Sequence, residues 1–287
     1  DFLEVVKKGP KYLQKKYNIH LDNAHEGVEL KDAFGSVSDE EIDTYLNPKW
    51  FNKRTVRLRY AFGRYFGGNH YAEIQEALED NNELGVKKGQ IILSVHTVCN
   101  ALLDIIRPDL VEKYIKKKYF VKVTPGSEMM RAFFVGQNAL MNYGRSGRFG
   151  TYLIIRDLFK NKLKMEEPKI ILERAHNYTQ KEHVEGKELL VYRHNAERVL
   201  EGEYALVSGR YDYNSFIVKG MNNLAECLYS IDHGVGHVLN QDIDLKECDG
   251  GVKLFRYKKG IRCKKTLSEV RRKKSPKVEK YFENMKE

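Results

Sequence analysis

One change of pattern near Pro168 constrains the fold of this chain more than any other feature. Before it, Pro125-Gly126-Ser127 opens a long stretch, EMMRAFFVGQNALMNYG followed by RFGTYLIIRDLF, with apolar residues at helical spacing. After it come short segments typical of strands: KIILERAHNY, ELLVYRHN, YALVSG and YNSFIVKG. Strand and helix therefore do not alternate regularly, which favours an α+β fold over a Rossmann fold or a TIM barrel.

Three further segments predict elements of the first half. Phe2 to Tyr17 has the pattern of one amphipathic helix. Residues 38–46, SDEEIDTYL, begin with an N-cap serine and acidic residues, which indicates a short helix. Gln90 to His96 is an apolar run with a polar end, typical of a buried strand. The chain has no repeat and no Pro/Ser-rich linker, so we predict a single domain over residues 1–287.

Bulk composition indicates a globular protein, since 41% of the residues are hydrophobic and 31% are charged. No apolar run approaches the roughly 20 residues that span a bilayer, and DFLEVVKKGP does not resemble a signal peptide. Four cysteines without close spacing predict neither a disulfide framework nor a zinc knuckle. We therefore expect a cytoplasmic protein with no membrane contact.

The net charge of +10 favours a polyanionic partner. Many of the cations lie between Lys253 and Lys286, where Phe255 and Tyr257 are interleaved with them. Such a pattern suits a strand of nucleic acid, although a solvated basic surface has the same composition.

Histidines at the ends of predicted strands suggest a metal site. His96 ends IILSVH, His176 ends IILERAH, His233 follows LYSID, and His70 lies in the segment GGNHYAE. Each one alone is typical of a structural histidine, but several together favour a shared metal. Imidazole and carboxylate ligands suit zinc, manganese or iron, and phosphate chemistry favours manganese or magnesium.

His233 is followed by Gly234-Val235-Gly236, small residues that leave backbone N–H groups available to an anion. A histidine beside a phosphate-binding turn can act as a ligand, a general acid or a nucleophile. The simpler interpretation is a tight glycine turn that enters a helix.

In chain order, the segments GGNHYAEIQ, SVHTV, RAHNY, SGRYDYNSF and HGVGH resemble the signature segments of the RtcB-type RNA ligases. NALMNYGRSGR and VYRHNAERV are similar to two more, the latter to Val-His-Arg-Lys-Gly-Ala-Thr-Arg. The resemblance runs from about Asn69 to about Gln241 and is specific because the segments are collinear. It implies an RtcB-like catalytic domain with mixed and antiparallel sheets around a central metal cleft and flanking helices.

The resemblance also implies an activity. Such an enzyme uses GTP and two manganese ions to join an RNA 3′-phosphate or 2′,3′-cyclic phosphate to a 5′-hydroxyl. It acts in RNA repair or tRNA splicing, so tRNA halves or broken tRNA would be its substrates, and an accessory activator protein would be a partner. A histidine that carries guanylate is the intermediate, and GMP is released.

Matched to the family's motifs, the residues take four implied roles. His233 is the nucleophile that attacks the α-phosphate of GTP, and His70, His96 and His176 are metal ligands. The guanylate is lined by Asn69, Glu73, Asn177, Ser208, Gly209, Arg210, Tyr211, Ser215, Gly234, Val235 and Gly236. RNA contacts are expected from Arg145, Arg148, Arg193 and His237.

This chain also departs from the family pattern. Residues 1–68 contain no match to the family's Asp-x-x-Cys metal motif, and the family's C-terminal guanine-reading lysine is not visible. We expect the given chain to begin after that motif. His237 stands where the family has an arginine, and HTVCNA replaces His-Gly-Ser-Arg-Gly. The loss of these arginines implies either altered RNA binding or compensation by Arg145, Arg148, Arg193 or Arg210.

Two other functions fit parts of the pattern. A metal-dependent RNA phosphodiesterase or phosphatase would use the same histidines without guanylylation. A non-catalytic RNA-binding relative would bind RNA with a steep salt dependence and hold no metal at these histidines.

Overall fold

The computed structural model describes residues 2–18, 36–47, 49, 62, 70–97, 105–115, 122–209 and 214–234, with backbone alone at 25–26, 114–115, 252–256 and 261–265. The chain divides into two compact units, Asp1–Glu173 and Arg174–Glu287. The single-domain prediction for 1–287 stays a prediction.

The described residues of the first unit form helices, one hairpin and one short parallel strand pair. In chain order its described elements are α1 (Phe2–Lys8), α2 (Pro10–Tyr17), β1 (His25–Glu26), α3 (Asp39–Tyr45), β2 (Tyr71–Glu76), β3 (Ile91–His96), α4 (Pro108–Ile115), α5 (Glu128–Asp157), a π-helix (Leu158–Leu163) and β4 (Leu172–Glu173). β1 pairs with β4 in parallel, and β2 pairs with β3 antiparallel.

Helix α5 is the central element of this unit. It runs for 30 residues, about 45 Å at the usual rise, and Ser127 caps its first turn by accepting from the backbone N–H of Met130. Its buried face forms the main apolar core with α1, α3 and neighbouring residues: Val6, Val37, Ile42, Leu46, Ile105, Val135, Ala139, Leu140 and Tyr143. The long helix predicted after Ser127 is confirmed, and so is the short helix capped by Ser38, where a full capping box is present.

The single helix predicted over 2–17 is wrong, because the chain breaks at Gly9. Gly9 has φ 63° and ψ −154°, a backbone conformation that glycine alone adopts readily, and Pro10 starts α2. Asn142 of α5 donates from Nδ2 to the carbonyls of Val6 and Lys7, at 2.9 and 3.2 Å. These bonds satisfy the last carbonyls of α1, so the helix can end there.

Glu173 connects the end of this unit to α5. Arg145 Nε donates to one of its oxygens over 3.4 Å, and Arg148 donates to the other. Burial alone raises the pKa of the Glu173 carboxyl, but the charges of Arg148 and Arg145 outweigh it and hold the pKa below its ordinary value. The ion pairs therefore stabilise the fold above the ordinary carboxyl pKa, and this contribution is lost as pH falls through the lowered value.

The second unit is built from antiparallel strand pairs. Its described strands are β5 (Asn177–Val184), β6 (Lys187–His194), β7 (Ala196–Arg198), β8 (Tyr204–Val207), β9 (Phe216–Lys219), β10 (Ser230–Asp232), β11 (Val252–Arg256) and β12 (Ile261–Lys265), with a 3-10 helix at Leu224–Cys227. β5 pairs with β6, β7 with β10, β8 with β9, and β11 with β12.

Helices in the first unit and strands in the second confirm the predicted α+β class. The strand predicted over 90–96 is confirmed as β3, but the prediction that it is buried is wrong for Ile91 and Leu93, which are exposed. After Pro168, the predicted strands ELLVYRHN, YALVSG and YNSFIVKG are confirmed as β6, β8 and β9. The strand predicted over KIILERAHNY is wrong in its bounds, because that segment contains only β4 and the first two residues of β5. Among the described residues, no helix is long and apolar enough to cross a membrane.

We predict that Gly9→Ala lowers the free energy of unfolding by about 2–4 kcal/mol, because the left-handed backbone is strained and the hydrogen bonds of Asn142 are disturbed. A Cβ on Gly9 would lie 2.9 Å from Asn142 Oδ1. Gly85 is the matched control, since its φ is +68° but nothing lies within 4 Å of its added Cβ. Gly85→Ala should cost about 1–2 kcal/mol in urea denaturation, and equal losses would contradict this account of Gly9.

Candidate nucleotide and metal site

The β2–β3 hairpin has one exposed apolar face and one polar face. Its register places Tyr71 opposite His96 and Glu73 opposite Ser94, and these four side chains share a face because side chains alternate along a strand. Ser94 is buried on this face, whereas Ile74 and Leu93 on the other face are exposed. The hairpin thus turns a histidine and a carboxylate to the same side.

His70 and His96 form a pair at the end of this hairpin. His96 is the last residue of β3, as predicted, and His70 directly precedes β2. Their ring centroids lie 5.0 Å apart, and the Tyr71 ring lies 5.4 Å from that of His96. Two of the three predicted metal ligands are therefore neighbours within the first unit.

His233 follows β10 in the second unit and is buried, with 8% of its surface exposed. Its backbone is fixed from two sides. The His233 N–H donates to the carbonyl of Asn195 at 3.2 Å, and its own carbonyl accepts from the N–H of Ser208 at 2.8 Å. The residue therefore sits between the turn before β7 and the end of β8.

The ring of His233 has a defined hydrogen-bond partner. Nδ1 lies 3.0 Å from the same Asn195 carbonyl oxygen. A carbonyl oxygen can only accept, so Nδ1 carries the proton in this contact and the lone pair of the neutral ring resides on Nε2. This is the tautomer that a nucleophile or a metal ligand acting through Nε2 requires.

His176 lies against His233. The two rings stack with their centroids 4.3 Å apart and their planes inclined by 18°. The sequence predicted His176 at the end of a strand, which is wrong: β4 stops at Glu173, and His176 directly precedes β5. The carbonyl of His176 accepts from the N–H of Ala196 at 3.1 Å, so the residues before β5 and β7 are joined.

Several predicted guanylate residues lie around His233. Ser208 forms a parallel bridge with Gly234, and the N–H of Gly209 donates to Ser215 Oγ at 3.0 Å. Gly234 has φ 145°, and a Cβ there would lie 2.3 Å from the Ser208 carbonyl oxygen, so this position requires glycine. Its N–H donates to Asp232 Oδ1 at 2.9 Å. Two backbones thus approach closely at Gly234, and its N–H, which the sequence predicts to be available to an anion, is bonded to Asp232 in this structure. The role of Gly234 in lining the guanylate stays a prediction.

Asn177 has a partner inside the protein. Its Oδ1 accepts from the N–H of Asn195 at 2.7 Å. Its role in lining the guanylate stays a prediction, as does that of Glu73, whose Oε2 accepts from Gln75 Nε2 at 3.0 Å.

A buried cluster of charges supports the strands around His233. The Glu182 carboxylate of β5 accepts from Arg193 of β6 at 2.7 Å and from Arg198 of β7 at 2.8 Å. Arg193 also donates to the carbonyl of Leu228 and to Ser230 Oγ at the start of β10. One carboxylate therefore ties together the strands that lead to Asn195 and His233.

This arrangement gives one predicted RNA-binding residue a partner inside the protein. The Arg193 side chain is 1% exposed and faces Glu182, and its contact with RNA stays a prediction. Arg145 and Arg148 are largely buried against Glu173, and their contact with RNA stays a prediction. The remaining predicted site residues lie outside the described part of the chain: Asn69, Arg210, Tyr211, Val235, Gly236 and His237.

The sequence analysis missed Asn195, Glu182 and Arg198. Asn195 carried a usable signal, because it stands where the similar family segment has glycine and asparagine is the residue that best replaces glycine in a left-handed turn. Its φ is 57°. Arg198 also carried a signal, because it matches the last arginine of that similar family segment. Glu182 gave no local signal, since charged residues near a hairpin are usually exposed.

We predict that Glu182→Gln destabilises the second unit by about 3–5 kcal/mol, because two buried guanidinium groups lose their counter-charge. Glu188→Gln on the same hairpin is the matched control. Glu188 pairs with Lys181, and both side chains are about two-thirds exposed, at 66% and 67%. Urea denaturation of the control should match the parent chain, and an equally small effect at Glu182 would show that the buried cluster is dispensable.

Comparison with known proteins identifies the family of this chain. A family model described as tRNA-splicing ligase RtcB matches residues 3–285. RNA-splicing ligase RtcB of Escherichia coli strain K12 is 39% identical over 66 residues, which cover 23% of this chain and 16% of that protein. RNA-splicing ligase RtcB1 of Escherichia coli strain ATCC 25922 matches to the same extent. The matched stretch spans about a sixth of these relatives' length. Because the family model covers nearly all of the chain, the protein belongs to the tRNA-splicing ligase RtcB family.

Proposed function

We propose that this chain carries the activity of a GTP- and manganese-dependent RNA ligase, which joins RNA 3′-phosphate or 2′,3′-cyclic phosphate ends to 5′-hydroxyl ends. The observation that carries the proposal is the buried imidazole of His233, which donates from Nδ1 to a backbone carbonyl and keeps its lone pair on Nε2. Family membership supplies the reaction class.

In the first step, His233 Nε2 attacks the α-phosphorus of GTP. A P–N bond forms, the bond from the α-phosphorus to the bridging oxygen breaks, and pyrophosphate leaves. The ring gains positive charge as the P–N bond forms. The Asn195 carbonyl, which already accepts from Nδ1 at 3.0 Å, stabilises that charge without rearrangement.

A 2′,3′-cyclic phosphate end first adds water, which breaks its bond from phosphorus to O2′ and leaves a 3′-phosphate. In the second step, an oxygen of the RNA 3′-phosphate attacks the guanylate phosphorus, and the P–N bond breaks. The neutral imidazole of His233 is restored with its proton still on Nδ1. The 5′-hydroxyl of the second RNA end then attacks the activated 3′-phosphorus, releases its proton to solvent and expels GMP. The excess of cations, +10 over the chain, favours RNA through its phosphates.

The side chains present fit divalent metal ions. His70 and His96 offer imidazole nitrogens from one hairpin end, with the Glu73 carboxylate on the same hairpin face as His96, and His176 offers another nitrogen beside His233. We propose His70, His96 and His176 as ligands of manganese. When bound, divalent ions neutralise the triphosphate and stabilise pyrophosphate as it leaves.

The proposal predicts a covalent guanylate on His233. Incubation with manganese and GTP labelled at the α-phosphate should label the chain, and the bond should be labile in acid, as P–N bonds are. His233→Ala should abolish labelling, because no other group is expected to reach the α-phosphorus. Label would be followed by gel and by peptide mass spectrometry.

His183→Ala is the matched control, since His183 is an exposed histidine of β5. It should label as the parent chain does. Persistent label in His233→Ala would refute the assignment. Hydrolysis of RNA ends without GTP, in the absence of any label, would instead favour a metal-dependent phosphodiesterase.

A further inference from the structure

The turn between β6 and β7 forms hydrogen bonds with both His176 and His233, the two histidines whose rings stack. Its residue Asn195 presents its carbonyl oxygen to two nitrogens of His233, the backbone N–H at 3.2 Å and ring Nδ1 at 3.0 Å. The next residue, Ala196, donates its N–H to the carbonyl of His176. The orientation of this one peptide group therefore sets the position of the His233 ring.

Two features fix that orientation. Asn195 is in the left-handed conformation, with φ 57°, which most side chains disfavour by their Cβ. Its N–H donates to Asn177 Oδ1 at 2.7 Å, from the first residue of β5. Asn177 is opposite His194 in the β5–β6 register. Its side chain is therefore next to the following residue, Asn195, and holds the turn through this hydrogen bond.

We propose that Asn195 and Asn177 are positioning residues that hold His233 in the tautomer with its proton on Nδ1. Asn195 does so through its backbone conformation, and Asn177 does so through the hydrogen bond to the N–H of Asn195. For its catalytic meaning this inference rests on the proposed function, but the tautomer itself does not.

The chemical consequence is specific. A neutral imidazole has one protonated and one unprotonated nitrogen, and only the unprotonated one can attack phosphorus. If the Asn195 carbonyl turns away, Nδ1 loses its acceptor at 3.0 Å, and the Asp232 carboxylate oxygen at 3.6 Å is too far away for a hydrogen bond. The ring can then carry its proton on Nε2 instead. The nitrogen that should attack would then be blocked, although the residue and its surroundings are intact.

The test uses the full chain with ¹⁵N-labelled histidine, stripped of metal by a chelator, in the neutral form of the rings. Ring ¹⁵N shifts distinguish a protonated from an unprotonated nitrogen, and the spectrum of His233→Gln assigns the signals of His233. The parent chain should show the proton on Nδ1. Asn195→Gly should keep this signature, because glycine adopts the left-handed conformation without strain.

Asn195→Val should shift the signals towards the other tautomer, because a β-branched residue opposes a positive φ. Asn177→Ala should do the same, whereas Asn177→Asp, which keeps an acceptor oxygen, should restore the parent signature. The rate of guanylate labelling at saturating GTP should fall by roughly 10-fold or more in Asn195→Val and Asn177→Ala, the two variants expected to move the proton to Nε2.

Three outcomes would overturn the proposal: a proton on Nε2 in the parent chain, an unchanged tautomer in Asn177→Ala, or equal effects of valine and glycine at position 195. If Asn195→Val does not fold, the Asn177 pair decides the matter alone. Failure of the parent chain to take guanylate would count against the proposed function, while the ¹⁵N signature would still confirm or refute the positioning.

Discussion

The candidate nucleophile depends on the backbone carbonyl of Asn195. This oxygen accepts from the main chain and from the ring of His233, so it fixes the residue's place and its tautomer together. The carbonyl faces His233 because the backbone of Asn195 has the left-handed conformation and its N–H donates a hydrogen bond to Asn177 Oδ1. The carbonyl, at 3.0 Å, is the hydrogen-bond acceptor of Nδ1, while the Asp232 carboxylate oxygen lies further away, at 3.6 Å.

Buried ion pairs hold the strands that carry this turn. Glu182 forms ion pairs with Arg193 and Arg198. Arg193 also donates hydrogen bonds to the Leu228 carbonyl and to Ser230 Oγ, where β10 begins. Glu173 plays a comparable part in the first unit, where two arginines of α5 share its carboxylate. Burying charges in place of apolar residues adds little net stability, but paired and hydrogen-bonded charges specify one arrangement of the strands. Around His233, which must present one ring nitrogen, a single arrangement of the strands matters more than added stability.

Local signals in the sequence were enough for the main elements. Helical periodicity predicted α5, the Ser38 capping pattern predicted α3, and the apolar run before His96 predicted β3. Periodicity misled at Gly9-Pro10, where two helices meet. The histidines were found because they stand at the ends of predicted strands or beside glycines, and the resemblance to a family then assigned their roles. Glu182 and the pairing of Asn195 with His233 could not be predicted, because they depend on residues 11 to 38 positions away in the chain.

The central claim is that the predicted histidines serve one reaction, as metal ligands and as the guanylate carrier. Anomalous scattering at the manganese edge, from a crystal of this chain soaked with manganese and GTP, tests it directly. The account predicts manganese peaks within bonding distance of the imidazoles of His70, His96 and His176, with continuous density from His233 Nε2 to a phosphorus. Manganese bound elsewhere, or a guanylate not joined to His233, would contradict it.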